Sequence, residues 1–292
     1  MSKKVVVTGI GLITPLGLDR NSTWKGITTG VNGIKNITSF DTENFQTKIA
    51  AEITDFSPEE TLGKKFSKRL DRFAQFACVA AQEAIKDAGI FIDSVDVNRF
   101  SVLIGSGIGG IITLSEQFDV LRDKGPNRIN PFLVPMMLSD MASGQVSMML
   151  GTKGPNFSTV SACASAADSI GQGMRMIQRG DSDIVMAGGT EAAICPIGIA
   201  GFNSARALST NNDNPTGAYW WIVTKAVKKK TKRGAQYLRL RVMGSNGKQE
   251  WMNCWGWNGE DQVAPYTVCV GIVSSNHYGK STKWTKMRIF LG

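Results

Sequence analysis

The chain has 292 residues, 42% hydrophobic and 20% charged, with a formal net charge of +9; this composition supports a globular core of one or two domains and excludes a disordered or fibrous chain. Apolar runs such as Val5-Val6-Val7 fall far short of the roughly 18 residues a membrane span needs, and Met1-Ser2-Lys3-Lys4 leads into strand-like sequence rather than a signal peptide, so a cytoplasmic protein with no membrane contact is expected. The charge is unevenly placed: residues 219–292 hold 13 of the 33 Lys and Arg, three of the 24 acidic residues and six of the seven tryptophans.

Up to about Ala218, short β-branched runs alternate with longer helical patterns. Residues 4–8 read as a first strand, followed by a turn through Gly9 and Gly11. Residues 71–88 place Phe73, Ala77, Ala80, Ala81, Ala84 and Ile85 at helical spacing, and Gly89 stops the helix. A strand at 101–104, helices at 111–121 and 137–150, a strand at 156–160, a helix at 164–178 and a strand at 183–187 complete the series. This alternation predicts an α/β domain with a largely parallel sheet over residues 3–218. Beyond it the pattern decays through a basic run, Lys228-Lys229-Lys230-Thr231-Lys232-Arg233, and only residues 267–274 read as a clean strand. Residues 219–292 are therefore expected to be a separate, atypical basic tail, solvated and poorly ordered.

Five cysteines, Cys78, Cys163, Cys195, Cys254 and Cys269, are scattered without a C-x-x-C pair, and His277 is the single histidine. Neither a disulfide framework nor a zinc site is expected. Cys78 falls within the 71–88 helix and reads as core, while Cys195 precedes Pro196 without an activating partner. Cys163 differs because a strand runs into a helix through Ser161-Ala162-Cys163. Unpaired amides and the helix dipole there favour a thiolate and lower its pKa. Gly105-Ser106-Gly107-Ile108-Gly109-Gly110 fits a dinucleotide-binding pattern, but the acidic residue needed about 20 positions on is missing, so a tight turn lining a pocket is the stronger reading. The basic run with nearby tryptophans lacks any nucleic-acid module, and no nucleic-acid partner is expected.

Several of these segments, in order, resemble one family. Val5-Val6-Val7-Thr8-Gly9-Ile10-Gly11-Leu12-Ile13-Thr14-Pro15-Leu16-Gly17, the Gly105–Gly110 turn, Ser161-Ala162-Cys163-Ala164-Ser165-Ala166, Asp183-Ile184-Val185-Met186-Ala187-Gly188-Gly189-Thr190-Glu191 and Phe202-Asn203-Ser204-Ala205-Arg206-Ala207-Leu208-Ser209-Thr210 are similar to the elongating β-ketoacyl-(acyl carrier protein) synthases of the KAS II type. The resemblance implies a thiolase-like layered α/β fold of two pseudo-repeated halves, normally a homodimer, and no cofactor or metal. It implies that Cys163 takes an acyl chain from acyl carrier protein and that a decarboxylated malonyl unit then attacks that thioester. The Cys163 amide would donate to the oxyanion. Ile108, Gly198 and Phe202 match acyl-pocket positions, and Lys65, Lys68, Arg69 and Arg206 match a basic patch for the acidic carrier protein.

Two departures stand out. Ala166 occupies a position where the family usually has Gly. The family also draws two histidines and a lysine from its C-terminal half, whereas here Asn276-His277-Tyr278-Gly279-Lys280-Ser281-Thr282 and Lys232-Arg233-Gly234-Ala235 are faint echoes of those motifs. The tail thus reads as a degraded or frame-disrupted remnant of that half, with His277 the remaining catalytic candidate. The competing reading is an inactive half-thiolase serving as a non-enzymatic interaction subunit.

Overall fold

The computed structural model describes residues 4–213 in full and, beyond them, the backbone of five strands. In chain order the elements are α1 (Arg20–Thr29), β1 (Lys35–Asn36), β2 (Ile49–Ala50), α2 (Pro58–Leu62), α3 (Lys64–Ser67), α4 (Arg72–Asp87), β3 (Phe100–Gly105), α5 (Ile111–Lys124), α6 (Leu133–Met137), α7 (Met141–Leu150), β4 (Asn156–Phe157), α8 (Ser165–Arg179), β5 (Ile184–Gly189) and α9 (Pro196–Ser204). The strands β6 (Ala218–Lys230), β7 (Gln236–Met243), β8 (Gln249–Trp255), β9 (Val268–Asn276) and β10 (Gly279–Lys283) follow. They fall into two compact units, one of Met1–Arg20, Thr38–Asp41 and Ile53–Ala207, the other of Asn21–Ile37, Thr42–Glu52 and Leu208–Gly292.

The first unit is a three-layer α/β arrangement. Its sheet has the order β4-β3-β5, all parallel, with Phe100 to Gly105 paired in register with Ile184 to Gly189. Every residue of β3 is buried, as a central parallel strand with helices on both faces requires. On one face Val102 and Ile104 meet Phe73, Ala74, Ala77, Cys78 and Ala81 of α4 and Ala142 and Val146 of α7. Burying each large apolar side chain there contributes about 1.5–3 kcal/mol. On the other face α8 lies against β5, where a Cβ at Gly173 would stand 3.0 Å from Val185 and 3.2 Å from Ala187. The limits of α4 follow the sequence closely: Asp71 caps it by accepting from the Phe73 N–H at 3.2 Å, and Gly89 leaves it at φ +64°.

Three expected elements differ, each because a distant group takes the backbone. Residues 4–8 form no strand, and Val6 and Val7 are 62% and 80% exposed. The chain after them is held by α4 carboxylates instead, with the Ile10 and Leu12 amides donating to Asp87 at 3.0 Å and Glu83 at 2.8 Å. The helix expected at 137–150 begins only at Met141 as α7, because Met137 closes the separate short helix α6, Leu138 is extended, and the Met137 carbonyl accepts from the Gly110 amide at 3.1 Å. The strand expected at 156–160 shrinks to β4. There the Ser143 hydroxyl accepts from the Ile104 N–H at 2.7 Å and stands 3.2 and 3.0 Å from the Ile104 and Phe157 carbonyls, where the ladder would continue.

In the second unit β1 and β2 pair antiparallel, and the chain beside β2 is tied to residues 209–212 by Thr47 Oγ1 to the Ser209 carbonyl at 2.7 Å and the Lys48 amide to Asn212 Oδ1 at 2.8 Å. Beyond Ala218 the backbone carries five strands where the sequence suggests one, closed in the order β10-β8-β7-β6-β9. This all-β arrangement is unlike the α/β first unit. His277 lies outside the described residues.

Candidate active site

The turn between β4 and α8 carries the candidate nucleophile. Cys163 sits in a single 3-10 turn, Ala162–Ala164, directly ahead of α8, so the thiol precedes the helix by two residues rather than opening it. Ala162 is held at φ +52°, a left-handed conformation that a non-glycine residue adopts only under local constraint. The constraint is a hydrogen-bond net on either side of the cysteine. Ser165 Oγ accepts from the Ser161 amide at 3.0 Å and donates to the Ala162 carbonyl at 2.7 Å, while the Ser161 hydroxyl donates to Asp168 at 2.5 Å. Thr159 Oγ1 adds a bond to the Ser165 carbonyl at 2.7 Å.

Among the described cysteines, Cys163 is the exposed one. Cys78 is fully buried in α4, and burial pushes its thiol up to about 12. Cys195 is buried at the start of α9, where burial raises its thiol, opposed by amides of the first turn of α9 and assisted by the charges of Asp71 and Glu116. The chemically available thiol is therefore the one on the strained turn.

A second turn, residues 105–110, lies against the first. Cβ atoms built at Gly105 and Gly107 would stand 2.5 Å from the Ser165 carbonyl oxygen and 3.3 Å from Ala162 Cα, so this close approach requires glycine at 105. The turn is held by Glu191, just past the end of β5. Its Oε2 accepts from the Gly107 amide at 2.8 Å and the Ile108 amide at 3.2 Å, and its Oε1 from the Ser106 hydroxyl at 3.1 Å. Nothing in local sequence marks Glu191 for this work, since its partners lie 83 to 85 residues earlier.

Of the acyl-pocket candidates, Ile108 and Phe202 are 38% and 42% exposed and Gly198 is buried in α9, where a Cβ would stand 2.2 Å from the Ala193 carbonyl oxygen. Gly198 and Phe202 are one helical turn apart, while Ile108 is in the turn after β3. A separate groove of about 570 Å³ is lined by Phe66, Arg69, Phe132, Pro135, Met141, Gln145, Met148 and Met149, and none of the three candidates lines it. Lys65, Lys68 and Arg69 are exposed on and just after α3, and among the described residues no carboxylate pairs with them. Arg69 lies over the Phe132 ring at 4.8 Å. Arg206 is exposed at the end of α9 with φ +55°.

Residues 2–219 match the family model of the β-ketoacyl synthase N-terminal domain. The chain belongs to the β-ketoacyl synthase family. Within the family, the 3-oxoacyl-[acyl-carrier-protein] synthase 2 of Staphylococcus aureus is 50% identical over 215 residues, which are 74% of this chain and 52% of that protein. The chain thus spans about half the length of the curated relatives it matches. A β-ketoacyl synthase from Burkholderia phymatum has a similar structure, with a TM-score of 0.66 at 27% identity over 74% of this chain and 53% of its own. A ketosynthase solved in complex with a type II polyketide acyl carrier protein shares the fold, with a TM-score of 0.61 at 21% identity over 69% of this chain and 55% of its own. The thiolase-like layered fold expected from the sequence is the fold of these synthases. Among the described residues no group of acidic, His and Cys side chains could hold a metal ion, and no helix is long and apolar enough to cross a membrane.

Proposed function

We propose that this chain carries the acyl-accepting half of a 3-oxoacyl-(acyl carrier protein) synthase of fatty-acid elongation, with Cys163 as the nucleophile. The observation that carries this reading is an exposed thiol on a strained, hydrogen-bonded turn packed against a glycine turn, in a chain half identical to such synthases over 215 residues. Cys163 Sγ attacks the thioester carbonyl of an acyl carrier protein, the carrier's sulfur leaves and takes up a proton, and the acyl chain remains as a thioester on the enzyme. The Cys163 amide donates to the oxygen on which charge develops. In the second half-reaction a malonyl thioester loses CO2, its carbanion attacks the Cys163 thioester, and the cysteine sulfur leaves. Assistance to decarboxylation would fall to His277 and the rest of the C-terminal segment.

Ile108, Gly198 and Phe202 would border the acyl chain, Gly198 by the close packing its missing side chain permits. Lys65, Lys68, Arg69 and Arg206 would receive the acidic carrier protein, and the lack of a carboxylate partner for the first three among the described residues supports this. The short exposed strand β4, with Phe157 and nearby Val160 41% and 62% exposed, supports a homodimer formed across that edge. We take residues 3–218 as the synthase domain, 219–292 as a separate segment, and the cytoplasm as the location.

Incubation with acyl-(acyl carrier protein) followed by intact-mass analysis tests the reading. One acyl mass should be gained, mapped to Cys163 and absent from Cys163→Ala. No gain in the wild-type chain, or a gain that survives Cys163→Ala, would sink it. Addition of malonyl-(acyl carrier protein) then separates the two half-reactions, since 3-oxoacyl product demands a working C-terminal segment.

A further inference from the structure

We propose that Glu191 is the positioning residue that fixes the turn carrying Ile108 against the nucleophile turn, and so sets how acyl chains of different length reach Cys163. The inference rests on the reading of Ile108 as an acyl contact given above. The carboxylate is the convergence point of the whole turn. It accepts directly from the Gly107 and Ile108 amides and from the Ser106 hydroxyl, and Ser106 Oγ in turn accepts from the Gly109 amide at 3.0 Å. Two consecutive amides are thus held by bonds strengthened by the charge of Glu191, and the third, that of Gly109, by the Ser106 hydroxyl that Glu191 orients.

The residue before it is anchored at both ends. The Thr190 amide donates to the Gly105 carbonyl at 3.0 Å and its hydroxyl to the Phe73 carbonyl at 2.6 Å, so Glu191 projects from a fixed point. No basic side chain pairs with Glu191 among the described residues, which leaves the two amides and the Ser106 hydroxyl as its partners. Because even a Cβ built at Gly107 would stand only 3.3 Å from Ala162 Cα, the two turns lie backbone against backbone, and a displacement of the glycine turn is felt at the residue next to Cys163. Removal of the carboxylate strips the acceptor from two adjacent amides, and the turn must find another conformation or hydrate.

Two measurements on the full chain decide it. Hydrogen exchange at the Gly107 and Ile108 amides should be at least about tenfold faster in Glu191→Ala than in wild type, with Glu191→Gln intermediate because its amide oxygen still accepts. The ratio of long-chain to short-chain acyl transfer onto Cys163 should change by at least about fivefold in Glu191→Ala and return toward wild type in Glu191→Gln, while alkylation of Cys163 by iodoacetamide stays within about twofold. A loss of packing alone would move the alkylation rate and the melting temperature and, because Gln restores the volume of Glu, would be fully rescued in Glu191→Gln instead of leaving exchange at 107 and 108 intermediate. Unchanged exchange at 107 and 108 overturns the clamp, and faster exchange with an unchanged chain-length ratio overturns its role at Ile108. Absence of any acylation in wild type overturns the synthase reading instead, with the exchange result still deciding the clamp.

Discussion

Two helix entrances in the first unit, those of α4 and α8, solve the same problem in opposite ways. At α4 the buried Asp71 closes the helix with one oxygen and reaches across with the other to the Thr113 amide of α5 at 2.8 Å, so a single carboxylate serves two helix starts. At α8 no side chain caps the first turn of the helix itself, the preceding residues are forced into a 3-10 turn with Ala162 at φ +52°, and the side chain presented is an exposed thiol. The first entrance is built for stability and the second gives up some stability to present a reactive group, which is the pattern expected where strain gathers at working sites.

The comparison breaks most visibly through thiol reactivity. At pH 8, Cys78 with its thiol near 12 is ionised in about one part in ten thousand and is buried besides, so iodoacetamide should label Cys163 and leave Cys78 untouched until the chain unfolds. Peptide mapping after brief labelling reads this directly, and equal labelling of the two would refute the division. Next in size is Asp71→Ala, which orphans the Phe73 and Thr113 amides and should cost about 2–4 kcal/mol in a urea titration.

The pH dependence of that site sharpens the contrast. Burial raises the Asp71 carboxyl above the ordinary aspartate range, outweighing the bonds from Thr113, Phe73 and Arg72 that pull the other way. The folded state therefore binds this proton more tightly than the unfolded chain. The stability it contributes is complete below the ordinary aspartate value and is lost as pH rises through the raised folded value. Glu116, raised by burial and then by the Asp71 charge, acts with the same sign. In Asp71→Asn that loss should shrink, so the stability curves of variant and wild type should converge or cross between acid and neutral pH; parallel curves would contradict the assignment. The smallest effect is expected at the other entrance, where Ala162→Gly relieves the left-handed backbone and should change stability by only about 0.5 kcal/mol. A loss of more than about 2 kcal/mol there would mean the methyl group, not the backbone, carries the turn.

What the sequence could disclose was decided by range. The limits of α4 were readable because its cap, its apolar face and its stopping glycine are all local. The nucleophile turn was readable for the same reason, as a strand passing into a helix within a few residues. The break between α6 and α7 was not, since it depends on Gly110 capturing the Met137 carbonyl, nor was the shortening of β4 by the Ser143 hydroxyl. Local sequence gives Glu191 no role beyond the end of the strand motif, because its partners lie in a different turn. Four of the five strands after Ala218 carry no local signal, because their mixed basic and aromatic composition shows no steady alternation.

Ala166 also acquires a meaning that its alignment with glycine did not suggest. A Cβ built on Gly189 would stand 2.5 Å from the Ala166 Cβ and still only 2.9 Å from its Cα. The seam between α8 and β5 therefore admits a methyl from the helix side but not from the strand side, whatever residue stands opposite. Variation across this seam is one-directional: position 166 can drift between Gly and Ala, while any sequence that keeps α8 at this distance from the sheet must retain Gly189 through every step.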